Sequence, residues 1–188
     1  MVKHTIFTDS IIVEDFPNEN LKKEITKELS IQKNIGGRKI SNKGGFQTHN
    51  IKNLNILKPI LKKCIEMLSA NYKIKGKNIT MQNLWINENK KNNYNIPHVH
   101  PYCHFSGVYY IDVCKEGGEL FFMRDSASMM ADQLDHIINE TDFSQNYTLK
   151  PMNNLLILFP SQIMHFVLPH DEDNTRISVS FNIIIHNG

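Results

Sequence analysis

Near residue 77 the hydrophobic period of this chain changes. Before it, "NLKKEITKELS" places Leu21, Ile25 and Leu29 at helical spacing. Residues 51–73 carry Leu54, Leu57, Ile60, Leu61, Cys64, Ile65 and Leu68 on a second amphipathic stretch, with Pro59 as a kink or an early boundary. After it come "ITMQNLWINEN", "FSGVYYIDV", "GELFFM", "YTLK", "NLLILF", "HFVLP" and "RISVSFNIII". These segments are short, rich in β-branched and aromatic residues, and separated by turn signals. Helices first and strands afterwards predict a mainly β chain, an antiparallel barrel or sandwich with the N-terminal helices packed outside it. Residues 5–13 read as one further short strand, "GGRKISNKGGFQTHN" as a turn-rich loop, and 124–145 as a long polar loop of the functional kind.

At 188 residues the chain is most simply one domain, with strand and helices over 1–76 and the β core over 77–188. Its composition is 40% hydrophobic and 21% charged, which is that of a globular protein and excludes a disordered one. A formal net charge of +2, with no dense basic block or nucleic-acid motif, argues against a nucleic-acid partner. Cys64, Cys103 and Cys114 are odd in number and lack close pairing, so no disulfide framework is expected and a reducing compartment fits. The start lacks the apolar core of a signal peptide and no run reaches membrane-spanning length, so a cytoplasmic protein is expected.

The chemistry gathers in "NIPHVHPYCHF". His98 and His100 stand two residues apart, just where a strand is about to begin, and at strand spacing both side chains share a face. Imidazole is the commonest transition-metal ligand, so the pair is half of a metal site; as surface histidines beside a turn they would be bland. "LLILFPSQIMHFVLP" supplies His165 at the opening of a distant strand, either as a third ligand or as a satisfied core histidine. In "TRISVSFNI", Arg176 and Ser178 alternate with Ile177 and Val179. Facing inward they form a fork suited to a carboxylate; facing outward they are an ordinary solvated strand face. Trp85 and Phe46 read as core aromatics, and His104 as a loop residue.

Taken together, the His-x-His pair, "SGVYYI", "GGELFF", "LLILFPSQIMH" and the closing "RISVSFN" resemble the Fe(II)- and 2-oxoglutarate-dependent dioxygenases, in their prolyl-hydroxylase-like branch. "SNKGGFQTHN" and "HVHPYCHFSGVYYI" look more narrowly like a group of oxygenases known from bacteria and marine phages. The resemblance implies a double-stranded β-helix, or jelly roll, and an oxygenase that hydroxylates an unidentified prime substrate with oxygen and 2-oxoglutarate. It implies iron held at the positions of His98, His100 and His165. It places the far carboxylate of 2-oxoglutarate on Arg176 and Ser178, with Tyr110 helping and Asn87 lining the pocket. His100 departs from the pattern, because the broad family has a carboxylate there; Glu119 or Asp112 is the alternative source of one. The competing class is a cupin-like metal-binding protein without oxygenase activity. Prime substrate and oligomeric state stay open, and a phage-encoded chain would act in its host's cytoplasm.

Overall fold

The computed structural model describes residues 2, 9–74, 76–124 and 145–186. Helix α1 (Glu19–Ile35) begins where the Asn18 side chain accepts the Leu21 amide, with Glu19 in its first turn, and it ends at Gly36. Helix α2 (Leu54–Asn71) is capped by Asn53 in the same manner. Pro59 lies inside α2 and is no boundary. Both helices turn their apolar stripes, Leu21, Ile25 and Leu29 from one and Ile56, Ile60, Cys64 and Leu68 from the other, into a single core.

That core is closed by one face of a six-stranded antiparallel sheet ordered β1-β9-β6-β11-β4-β3. Its strands are β1 (Ile12–Asp15), β3 (Phe46–Gln47), β4 (Asn78–Asn89), β6 (Phe105–Asp112), β9 (Leu155–Pro160) and β11 (Arg176–His186). A five-stranded sheet ordered β2-β5-β10-β7-β8 covers the other side. It is built from β2 (Asn42–Lys43), β5 (Tyr94–His98), β7 (Leu120–Met123), β8 (Asn146–Leu149) and β10 (Met164–Val167). Between the sheets lies a second cluster of Val108, Tyr110, Leu120, Phe122, Ile157 and Phe159. The larger sheet is therefore buried on both faces. This is why "SGVYYI" and "LLILF" read as continuous apolar runs instead of alternating.

The architecture is a mostly β jelly roll with the helices outside, as expected, but the barrel is not closed. Among the described residues β1 and β3 bound one sheet and β2 and β8 the other, so the two sheets face each other as a sandwich. The strand expected over residues 5–13 is β1 at Ile12–Asp15; residues 3–8 lie outside the described set. The expected 124–145 loop falls almost wholly outside it too, with Met129 and Met130. No helix among the described residues is long and apolar enough to cross a membrane.

Candidate metal and co-substrate site

Three imidazoles meet between the sheets. β10 pairs antiparallel with β5, and His165 is the direct register partner of His98. Residues opposed in this way share a face, so both rings project into the space under the larger sheet. His100 reaches the same point by another route. The strand expected just after these histidines is β6, opening at Phe105, but His98 and His100 do not share a strand face: β5 ends at His98 and His100 sits in the turn beyond it. Ser161 holds that turn: its carbonyl accepts the His100 amide at 3.0 Å, its amide donates to the His104 carbonyl, and its hydroxyl donates to the Cys103 carbonyl. Sequence reasoning missed Ser161; the only signal was its place after Pro160 at the end of β9.

The possible ligand atoms of His98, His100 and His165 all lie within 4.8 Å of one another. The ring centroids of His98 and His165 are 4.4 Å apart, and those of His100 and His165 5.1 Å. Among the described residues no Asp or Glu joins this group, so neither Glu119 nor Asp112 supplies the carboxylate that His100 replaces. The Nδ1 atoms of His98 and His165 lie 2.7 and 2.9 Å from the carbonyls of Ile96 and Ile163, each two residues back. Carbonyls only accept, so each Nδ1 carries the proton and each Nε2 keeps a free lone pair. Burial, with the like charge of His98, pushes His165 down to about 3 and His100 to about 4. Burial also lowers His98. All three rings are neutral at pH 7, the form that ligates metals.

The same cavity is lined by Trp85, Asn87, Tyr110, Arg176 and Ser178. Ser178 on β11 stands directly between Asn87 on β4 and Tyr110 on β6, so these three side chains share the inner face. Arg176, one strand step along, is 3% exposed and donates from Nη1 to the Gly118 carbonyl at 2.8 Å. No carboxylate lies within ion-pair distance of it among the described residues. Burial lowers the guanidinium pKa, but arginine is basic enough to stay charged, and burial raises the Tyr110 phenol to about 12, so the phenol stays neutral. Asn87 donates to the Ser180 hydroxyl and leaves its own carbonyl oxygen buried without a partner.

Trp85 is a buried aromatic, as expected, and is at the same time part of this wall, its ring centroid 5.7 Å from that of His100. Phe46 does pack on the helix-side core. His104 stays outside the triad and accepts the Ile185 amide.

Residues 83–182 match the family model described as "Putative 2OG-Fe(II) oxygenase". The chain belongs to that family. It is an Fe(II)- and 2-oxoglutarate-dependent oxygenase, and the cupin-like alternative is not favoured. A comparison with curated protein sequences gave no significant match. Solved structures share the oxygenase fold at low identity. A 2OG-Fe(II) oxygenase family oxidoreductase from Burkholderia pseudomallei aligns with a TM-score of 0.62 at 13% identity, covering 95% of this chain and 86% of that one. A Pseudomonas putida prolyl-4-hydroxylase gives 0.60 at 12%, over 96% and 95%. HygX from Streptomyces hygroscopicus, with nickel and 2-oxoglutarate bound, gives 0.60 at 10%, over 94% and 83%.

Proposed function

We propose that this oxygenase holds Fe(II) with His98, His100 and His165, holds the far carboxylate of 2-oxoglutarate with Arg176, and hydroxylates a C–H bond of a prime substrate. The observation that carries the reading is the buried Arg176, without a carboxylate partner among the described residues, in the same cavity as the three neutral imidazoles. A buried cation is costly unless an anion or a full set of acceptors meets it, and Gly118 gives only one.

The residues fit both groups. Three imidazoles suit a divalent first-row metal, and the carbonyls behind His98 and His165 fix which ring nitrogen is offered. The planar Arg176 fork matches a carboxylate, with the Ser178 and Tyr110 hydroxyls on the strands at its side. When bound, iron and 2-oxoglutarate supply the oxidising chemistry, with oxygen consumed as the keto acid loses carbon dioxide and becomes succinate. The chain's own part is placement and exclusion of water. Phe159 packs edge-on against His165 at 4.6 Å and Phe122 stands behind it, so that wall of the site is dry.

Anaerobic calorimetry tests the assignment. Fe(II) binding should be lost in His165→Ala but kept in Arg176→Gln. 2-Oxoglutarate binding to the iron-loaded protein should weaken by about a hundredfold or more in Arg176→Gln, the scale of an unpaired buried charge. Unchanged 2-oxoglutarate affinity in Arg176→Gln would refute the co-substrate assignment.

A further inference from the structure

A second arginine stands beside the site, and no carboxylate among the described residues neutralises it. Arg38 belongs to the segment that runs from Gly36 to Thr48. Within that segment β2 pairs with β5 of the smaller sheet and β3 with β4 of the larger, so it bridges the open edge between them. Its conformation is fixed by the chain itself: the Arg38 amide donates to the Gln47 carbonyl at 2.9 Å and its Nε to the Thr48 carbonyl at 3.1 Å. Both terminal guanidinium nitrogens are left with no protein acceptor among the described residues. The guanidinium carbon lies 5.6 Å from the centroid of the Trp85 ring, the ring that also borders His100.

A second, independent observation comes from Gln47. It is 2% exposed and is the direct register partner of Asn87, so it shares the face on which Asn87 lines the cavity. Its Oε1 is buried without a partner. Buried amides are normally satisfied. Here an unsatisfied amide oxygen and an unneutralised guanidinium lie on one short segment, each beside a residue, Asn87 or Trp85, that lines the cavity of the triad.

This pair is not a second grip on 2-oxoglutarate. Trp85 pairs with Ser180, four residues along β11 from Arg176, which is about 13 Å at the rise of a strand. Arg176 and the Trp85–Arg38 pair therefore stand at separate ends of the site, with His98 and His165 opposite them on the smaller sheet.

We propose that Arg38, seated on Trp85 and helped by the Gln47 amide, binds a carboxylate of the prime substrate, which is therefore a carboxylic acid. The planar fork fits a carboxylate with two parallel hydrogen bonds, and stacking on the indole holds its plane. The proposal rests on the reading that the triad is the reaction centre.

Trp85 is the only tryptophan in the chain, so tryptophan emission reports the indole on which Arg38 sits, and the metal and 2-oxoglutarate that also border it are held constant. With the full chain loaded with Zn(II) and saturating 2-oxoglutarate, so that Arg176 is occupied, propionate should change Trp85 emission saturably. Propionamide, which lacks the charge, should bind about tenfold more weakly or worse, and methyl phosphate, which the fork could also hold, is the competing anion. Arg38→Gln should lose the propionate response, and Arg38→Lys, which keeps the charge without the fork, should retain a weaker one. No propionate response, equal responses to propionate and propionamide, a preference for methyl phosphate, or an unchanged response in Arg38→Gln would each overturn the proposal. The wild-type and Arg38→Gln comparison is repeated without Zn(II) and 2-oxoglutarate. If 2-oxoglutarate fails to bind the wild type at all, only the underlying reading falls, and this comparison still decides the role of Arg38.

Discussion

His98 and His165 are direct register partners across β5 and β10, their rings 4.4 Å apart, and each Nδ1 is spent on the carbonyl two residues before it. One strand pairing therefore sets position, orientation and tautomer for two of the three imidazoles. His100 is added by the turn that Ser161 clamps.

Neutral buried histidines make the metal-free protein acid-sensitive. Burial lowers all three, and the charge of His98 adds to the effect on His100, which falls to about 4, and on His165, which falls to about 3, against an ordinary value of 6.5. Below pH 6.5 the unfolded chain binds protons that the folded one refuses, so stability is full above that pH and falls towards the folded values. The slope is about 1.4 kcal/mol per pH unit for each imidazole held neutral. Urea unfolding of metal-stripped protein at pH 7 and pH 5 should show this loss, and His165→Asn should reduce it. Equal stability at the two pH values would contradict it.

Gly118 controls Arg176. It has a φ of +73, a region open to glycine, and a Cβ there would lie 2.5 Å from Arg176 Nη1, the nitrogen its own carbonyl accepts. Gly118→Ala should displace the guanidinium and weaken 2-oxoglutarate binding by roughly tenfold, with Fe(II) affinity retained. Parallel titrations of the two ligands separate this outcome from general misfolding, which would lower both.

Gly107 is a packing position. It pairs with Phe181 and Leu158 in the doubly buried sheet, and a Cβ would press on the Phe181 ring and lie 2.7 Å from the Ile157 carbonyl. Gly107→Ala should cost about 1–3 kcal/mol in urea unfolding, the usual penalty of overpacking a tight core. A cost below about 0.5 kcal/mol, the range of ordinary surface changes, would show that the sheet can yield there.

Much of this arrangement was legible in the residues. Leu21, Ile25 and Leu29 announced α1 by their spacing, and the β-rich runs after residue 77 announced the sheets. His98, His100 and His165 stood out because they are polar rings set against apolar strands, and Arg176 and Ser178 because they break the apolar pattern of one strand at alternate positions. What stayed hidden depends on pairings between distant segments. β2 and β3 are two-residue ladders, too short to carry any period, so "SNKGGFQTHN" read as loop. The same gap concealed Arg38 and Gln47 and, with them, the part that the buried Trp85 plays in the cavity wall. The failure of the barrel to close is likewise a matter of which edges pair, and no local pattern encodes it.

The most direct test of the central claim is the visible spectrum of the metal-stripped protein, titrated anaerobically with Fe(II) and then with 2-oxoglutarate. The account predicts a weak metal-to-ligand charge-transfer band that appears only when both are present. That band should be absent in His165→Ala and should require far more 2-oxoglutarate in Arg176→Gln. Tight Fe(II) binding with no such band at any 2-oxoglutarate concentration would contradict it.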